Sequence, residues 1–340
     1  MRALTLVADR RLELAEVPPP PPPAADEVQV RIKAVALNHI DVWGYRGMAF
    51  VRRKLPLVVG AEAAGEVAAV GAGTAGLALG DPVVMYGGLT CGTCAACQAG
   101  RDNLCENVAG IMGFHVDGFA CDLVNLPARR VIPVPAGVTL TEAACAPIGF
   151  ATVEHMLFDN ARLEPGETVL VHAGGSGIGT AAIQMAKALP STVITTVGDD
   201  EKAAKAKALG ADHVINYRTE RFEHEVRKIT RKKGVDVVFE HVGADTFAGS
   251  LLSLKRGGRL VTCGATSGPT ASLNLMQLFQ QQYRIFGSFG ASMRNIRHGL
   301  ARMQAGLRPV IDTEVALNDF ARGLERLESR RVFGKIVVVF

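Results

Sequence analysis

The stretch Val169-Leu170-Val171-His172-Ala173-Gly174-Gly175-Ser176-Gly177-Ile178-Gly179 decides the fold of this 340-residue chain. An apolar strand runs into a glycine-rich turn and then into residues 178–189, where Ile178, Ala181, Ala182, Met185 and Leu189 recur at the spacing of one helical face. Lacking Cβ atoms, the turn can bend sharply and bring its backbone close to a pyrophosphate. The helix behind it offers free N–H groups and the positive end of its dipole. Gly174, Gly175, Ser176, Gly177 and Ile178 are therefore candidate dinucleotide contacts. The spacing Gly-x-Gly-x-x-Gly is met at Gly174 and Gly179 with Ser176 at its middle position, so these residues alone also fit a loop that only packs strand on helix.

The sequence beyond the turn favours the first reading. Strand-like runs recur at 192–197, 213–215, 236–240, 259–263 and 284–287, separated by helical stretches such as 201–209 and 222–230. Strand and helix alternating in this way describe parallel βαβ units, and hence a doubly wound sheet of α/β class in the middle of the chain. His241, Val242 and Gly264-Ala265-Thr266 end strands at the carboxyl edge of that sheet, where ligands bind.

A chain of 340 residues predicts two domains. Hydrophobic residues make up 48% and charged residues 21%, the balance of a soluble globular protein, and no apolar run reaches the roughly 18 residues of a membrane span. The start Met1-Arg2-Ala3-Leu4 lacks a secretory pattern, which predicts a cytoplasmic protein with no membrane partner. A net charge of +4 is mild, and the basic stretch 227–233 continues a helix whose Phe222, Val226 and Ile229 face inward. It reads as a solvated face, and no nucleic-acid partner is expected.

Residues 1–17 read as a β-hairpin, and six consecutive prolines at 18–23 form a stiff connection to the next strand, 27–34. Apolar segments and glycine turns continue through 57–70 and 81–85, which predicts a small β-rich barrel. Between them Asn38 is placed to cap a helix and Asp41 to sit in its first turn; capping alone accounts for both. Cys91, Cys94, Cys97 and Cys105 hold four of the seven cysteines within fifteen positions. Four thiolates at such spacing can converge on one structural Zn²⁺ with no position left open for substrate. Cys121, Cys145 and Cys263 are scattered and read as small buried hydrophobes. Near the end, Ile296, Leu300 and Met303 share one helical face, and Phe320, Leu324 and Leu327 share another in a helix that Asn318 would cap. A last strand, 335–339, would return to the first domain.

The whole pattern resembles the medium-chain dehydrogenase/reductase superfamily, which holds zinc alcohol dehydrogenases and quinone oxidoreductases. Besides the cysteine lobe, the resemblance rests on Gly80-Asp81-Pro82-Val83, Leu209-Gly210-Ala211-Asp212, the strand end Val214-Ile215 before Asn216-Tyr217, and Gly257-Gly258-Arg259-Leu260. It implies a GroES-like catalytic domain over 1–147 and 290–340, with its zinc lobe at about 88–108, and a Rossmann domain over 148–289. In the zinc alcohol dehydrogenases a Cys stands at the place of Asn38, a Ser or Thr proton relay at Ile40, a His at Ala61 and a further ligand near Ile148; only Glu62 is kept. A catalytic zinc needs three such ligands and an open position, so none is expected here.

What remains resembles the zinc-free quinone and enone reductases, which carry Asn-x-x-Asp where Asn38 and Asp41 stand. The resemblance implies reduction of an activated C=C by a nicotinamide cofactor. The Asn38 amide or a nearby N–H would stabilise the enolate oxygen, Tyr45 or water would supply the proton, and Asp41 would orient the loop. It also gives His39, Lys335, Ser288 and Phe289 to contacts with the cofactor. At the end of the second sheet strand the acid of NAD enzymes is replaced by Val197 and Gly198, while Lys202 and Tyr217 match positions that hold a 2′-phosphate; Asp199 and Asp200 oppose one. NADP(H) is expected ahead of NAD(H), together with one structural Zn²⁺, a small carbonyl, enone or quinone substrate, and a homodimer. Two alternatives stay open: an alcohol or aldehyde dehydrogenase of the same superfamily, and an NADPH-binding protein without turnover.

Overall fold

The computed structural model describes residues 1–47 and 53–340. The chain divides into two compact units, Met1–Ala151 with Ala291–Phe340, and Thr152–Gly290.

In the second unit six strands lie in the order His213–Asn216, Thr192–Val197, Thr168–Val171, Val235–Glu240, Leu254–Thr262 and Arg284–Gly287, every adjacent pair parallel. The strands are apolar because both faces are covered: Val169, Leu170, Val171, Val237, Val238 and Phe239 are fully buried. The glycine-rich turn leads into the helix Gly177–Ala188, whose N-cap Ser176 accepts a hydrogen bond from Gly179 N–H at 2.9 Å. That bond explains the serine at the middle of the motif, since a hydroxyl there satisfies an N–H that the first helical turn leaves open. Close packing fixes its glycines instead: a Cβ at Gly174 would stand 2.2 Å from Thr195 Oγ1, and one at Gly179 would stand 2.3 Å from Ala173 O.

In the first unit a sheet runs Ile311–Ala316, Lys335–Val339, Glu27–Ala36, Ala63–Val70, Pro82–Met85 and Val131–Pro133, with Leu123–Pro127 also paired to Glu27–Ala36. The predicted hairpin is present as Arg2–Ala8 against Arg11–Glu16, and the last strand returns as expected, Val337 opposite Ala36 in antiparallel register. Alternate residues Val28, Val30 and Ile32 point into a core that also holds Leu37, Val42, Phe119 and Leu324. One cap differs from the expectation: the helix Phe320–Glu328 starts from Asp319, because Asn318 is drawn into a preceding 3₁₀ turn, Leu317–Asp319. Among the described residues no helix is long and apolar enough to cross a membrane.

Candidate active site and metal centre

Strand Glu27–Ala36 ends beside strand Lys335–Val339, and this pairing brings the chain's last lysine against the turn into helix His39–Arg46. The Lys335 side chain is almost fully buried, and its Nζ lies 2.7 Å from Asn38 Oδ1, 2.9 Å from Glu62 Oε2 and 2.9 Å from Leu37 O. An ammonium has three donors, and these acceptors take all three. Glu62, 0% exposed, accepts through Oε1 from the backbone N–H groups of Ile148 and Gly149 and through Oε2 from Asn38 Nδ2 at 2.8 Å. The second hydrogen of Asn38 Nδ2 goes to Ala36 O at 3.0 Å. The amide orientation is fixed, since Lys335 can only donate to the Asn38 oxygen.

Three sequence-based roles change as a result. The Asn38 amide has no N–H left for a substrate oxygen, and Lys335 has none left for a cofactor. Tyr45 is buried in the apolar core with the Arg10 guanidinium 6.0 Å from its ring centroid, so it supports packing rather than proton transfer. Asp41 ties the turn to the residues just before the neighbouring strand: its Oδ2 accepts from Asn38 N–H at 2.8 Å and its Oδ1 from Ala61 N–H at 3.1 Å. Burial raises its pKa to about 7, against the pull of those N–H groups and of Lys335. His39 opens the helix with its ring edge-on to Trp43 at 6.3 Å.

The donor set around this cluster does not suit a catalytic metal. Asn38, Ala61 and Ile148 offer no thiolate or imidazole; the Glu62 carboxylate is saturated by an ammonium, an amide and two backbone N–H groups, and the Asp41 carboxylate is bonded to two backbone N–H groups. A cation already stands there, on the end of Lys335.

The cysteine lobe presents the opposite case. The Sγ atoms of Cys91, Cys94, Cys97 and Cys105 lie within 4.8 Å of one another, close to the roughly 3.8 Å edge of a tetrahedron with 2.3 Å zinc–sulfur bonds. The backbone N–H groups of Thr93 and Cys94 lower the pKa of Cys91, which favours the thiolate that zinc requires. Burial pushes the thiols of Cys121, Cys145 and Cys263 up to about 12; Cys121 and Cys145 lie in the core as expected, whereas Cys263 is only half-buried.

The second unit gathers most of the expected cofactor positions at the carboxyl edge of its sheet. The turn after Val235–Glu240 packs on the loop 264–268: Gly243 has φ 102°, and a Cβ there would meet Gly268 O at 2.8 Å and Ala265 Cα at 2.9 Å. Val242 O accepts from the Thr266 hydroxyl at 3.3 Å, and Gly264 lies so near the His241 carbonyl that a Cβ would stand 2.8 Å from it. The His241 ring is turned inward, its Nε2 2.8 Å from His172 O, so only its backbone faces this edge. Ser288 Oγ accepts from Asn160 Nδ2 at 3.1 Å, and Phe289 is largely exposed. At the end of Thr192–Val197 the Tyr217 hydroxyl lies over Gly198, 2.6 Å from where a Cβ would be, and Arg218 Nε is 3.7 Å from the same point. Asp199 caps the helix Asp200–Ala208 through Lys202 N–H at 2.8 Å, and Asp200 accepts from Asn216 Nδ2 at 2.9 Å. The two acids are thus engaged locally. Arg218, next to Tyr217, was not singled out in the sequence because nothing in its own neighbourhood ties it to Gly198.

The alcohol dehydrogenase GroES-like domain family matches residues 24–136, and the zinc-binding dehydrogenase family matches residues 177–305. The chain belongs to the medium-chain dehydrogenase/reductase superfamily. It is 32% identical to an acryloyl-coenzyme A reductase of Metallosphaera sedula, covering 93% of this chain and 92% of that one. It is also 32% identical to a quinone oxidoreductase of Salmonella typhimurium, again over 93% and 92% of the two chains. A solved structure of an NAD-dependent alcohol dehydrogenase superposes with a TM-score of 0.94 over the full length of both chains, at 41% identity. This medium-chain dehydrogenase/reductase is therefore an oxidoreductase, and its superfamily supports a nicotinamide cofactor and a structural zinc, for which the four-cysteine cluster is the fitting site.

Proposed function

We propose that this oxidoreductase reduces a small substrate whose C=C bond is activated by conjugation to a carbonyl or thioester, or a quinone, with NADPH and without a catalytic zinc. The observation that carries the reading is the Lys335–Glu62–Asn38 cluster. A carbonyl that must accept hydride directly needs a strong electrophile at its oxygen, usually a metal or an aimed hydrogen-bond donor. Here Lys335 is neutralised by Glu62 and the Asn38 donors are spent, so the cluster supplies neither. A conjugated acceptor brings its own activation, because the electron pair displaced from the double bond is spread onto the substrate's oxygen. When bound, the reduced nicotinamide supplies the hydride; the chain binds, orients and excludes water.

NADPH is favoured over NADH by the end of strand Thr192–Val197. The strand end itself, Val197-Gly198, carries no acid for ribose hydroxyls, and Asp199 and Asp200 beyond it accept from Lys202 N–H and Asn216; an Asp or Glu at Gly198 would collide with the Tyr217 hydroxyl, and Arg218 adds a positive charge beside it. A homodimer is supported by Arg284–Gly287, an edge strand of its sheet, and by the neighbouring helix Leu275–Gln281, where Leu275, Met276 and Phe279 are each more than 60% exposed. A second reading, an NAD-dependent alcohol dehydrogenase, is favoured by the 41% identity to the solved structure of that title.

Steady-state turnover separates the two. The expected result is NADPH oxidation with enones, enoyl thioesters or quinones at a kcat/KM at least about tenfold above that with NADH, and no reduction of NADP⁺ or NAD⁺ by primary or secondary alcohols. Alcohol oxidation with NAD⁺ and silence toward enones would establish the second reading instead.

A further inference from the structure

Glu240 and His172 are 0% and 1% exposed, and none of the roles above uses either side chain. Glu240 accepts from the backbone N–H groups of Val242 at 2.7 Å and Gly243 at 3.1 Å, from the Thr246 hydroxyl, and from the Ser250 hydroxyl at 2.7 Å. Four donors around one carboxylate fit its ionised form. With its proton given to Glu240, Ser250 Oγ can only accept from His172 Nε2, 2.9 Å away. That fixes the imidazole tautomer: Nε2 carries the hydrogen, and Nδ1 accepts from the Thr196 hydroxyl at 3.2 Å. Burial lowers the pKa of His172, which keeps the ring neutral as this arrangement requires. Thr196 Oγ1 in turn accepts from Ala173 N–H at 3.1 Å.

The chain of bonds thus ends on the first residue of the glycine-rich turn. Ala173 has φ 46°, a left-handed conformation that is unfavourable for a residue with a Cβ and persists only where its surroundings impose it. On its other side the His172 carbonyl is held by His241 Nε2 at 2.8 Å. The peptide between His172 and Ala173 is therefore anchored at both its oxygen and its N–H, immediately before the backbone that would face a pyrophosphate.

We propose that Glu240, Ser250, His172 and Thr196 form a buried positioning relay that holds the Ala173 turn, and with it the glycine-rich loop, in the conformation that binds the dinucleotide. The inference rests on the reading of that loop as the cofactor site. None of the four touches the reacting atoms; their effect is on how well the loop is pre-organised.

The test is cofactor affinity in Thr196→Val, which keeps the side-chain shape but removes the hydroxyl, beside Thr196→Ser, which restores it. The dissociation constant for NADPH, read from the change in its fluorescence on binding, is expected to rise about tenfold in Thr196→Val and to stay within about twofold of wild type in Thr196→Ser. The KM for NADPH should rise with it while kcat falls much less, a split that a general loss of folded protein does not produce. Ser250→Ala breaks the relay at its far end and carries the same expectation should Thr196→Val not accumulate as folded protein. Wild-type affinity in folded Thr196→Val or Ser250→Ala, or equal weakening in Thr196→Val and Thr196→Ser, would overturn the relay. A wild-type protein that binds neither NADPH nor NADH would overturn the cofactor reading itself, and the relay with it.

Discussion

Lys335→Met is expected to destabilise the β-rich unit by about 3–5 kcal/mol, the usual cost of removing one partner from a buried ion pair. The methionine fills the space of the lysine stem, so the loss comes from charge rather than volume. Glu62 would retain the N–H groups of Ile148, Gly149 and Asn38, but as an anion with no cation in a fully buried site. Asn38 Oδ1 and Leu37 O would also lose their donor. Urea unfolding followed by the fluorescence of Trp43, the only tryptophan of the chain and a member of the adjoining helix, reads the effect where it occurs. Adding Glu62→Gln should recover part of the loss, because the double variant buries no net charge. A Lys335→Met protein within about 1 kcal/mol of wild type would mean that the pair is not closed in solution.

Asp41 gives the second large effect, and its sign follows from the direction of its shift. The unfolded chain releases this proton near pH 4, whereas burial holds it in the folded chain to about pH 7. Over that interval the folded state binds the extra proton, so rising pH favours unfolding by about 1.4 kcal/mol per pH unit. Asp41→Asn removes the titration. The variant carries a constant cost, because one of the backbone N–H groups of Asn38 and Ala61 loses its acceptor. Its stability relative to wild type should therefore improve by roughly 2–3 kcal/mol between pH 5 and pH 8. Urea midpoints of both proteins at these two pH values measure the change. A gap independent of pH would show that Asp41 is ionised throughout, with the two N–H groups and Lys335 outweighing desolvation.

Much of the architecture was legible because it is written in local pattern. Strand–helix alternation, the glycine-rich turn and the cysteine spacing each depend on residues a few positions apart, and the structure places the corresponding strands and thiols where these patterns put them. The candidate site was legible only in its vacancies: Asn38, Ala61 and Ile148 show what is missing, not what has taken its place. Lys335 meets Asn38 across 297 positions, through a strand pairing that no local rule reveals. Its closure of the cluster is also what removed the Asn38 amide from the list of free donors. The relay from Glu240 to Ala173 was hidden for a related reason. Thr196 and Glu240 come from two strands, His172 directly follows a third that lies between them, and Ser250 is on a helix, so only the parallel register of those strands lines their side chains up. Asn318 departs from its expected place for a smaller cause: the 3₁₀ turn Leu317–Asp319 takes it in, and the helix begins beyond that turn.

On the reading proposed above, a metal sits among the four cysteines, while the Lys335 ammonium occupies the Glu62 carboxylate. Elemental analysis of turnover-competent protein purified without added metal tests it most directly. One zinc per chain is expected, bound by Cys91, Cys94, Cys97 and Cys105. Two zincs per subunit in protein that reduces its substrate would contradict it, and would require Lys335 to leave Glu62 for the metal to enter.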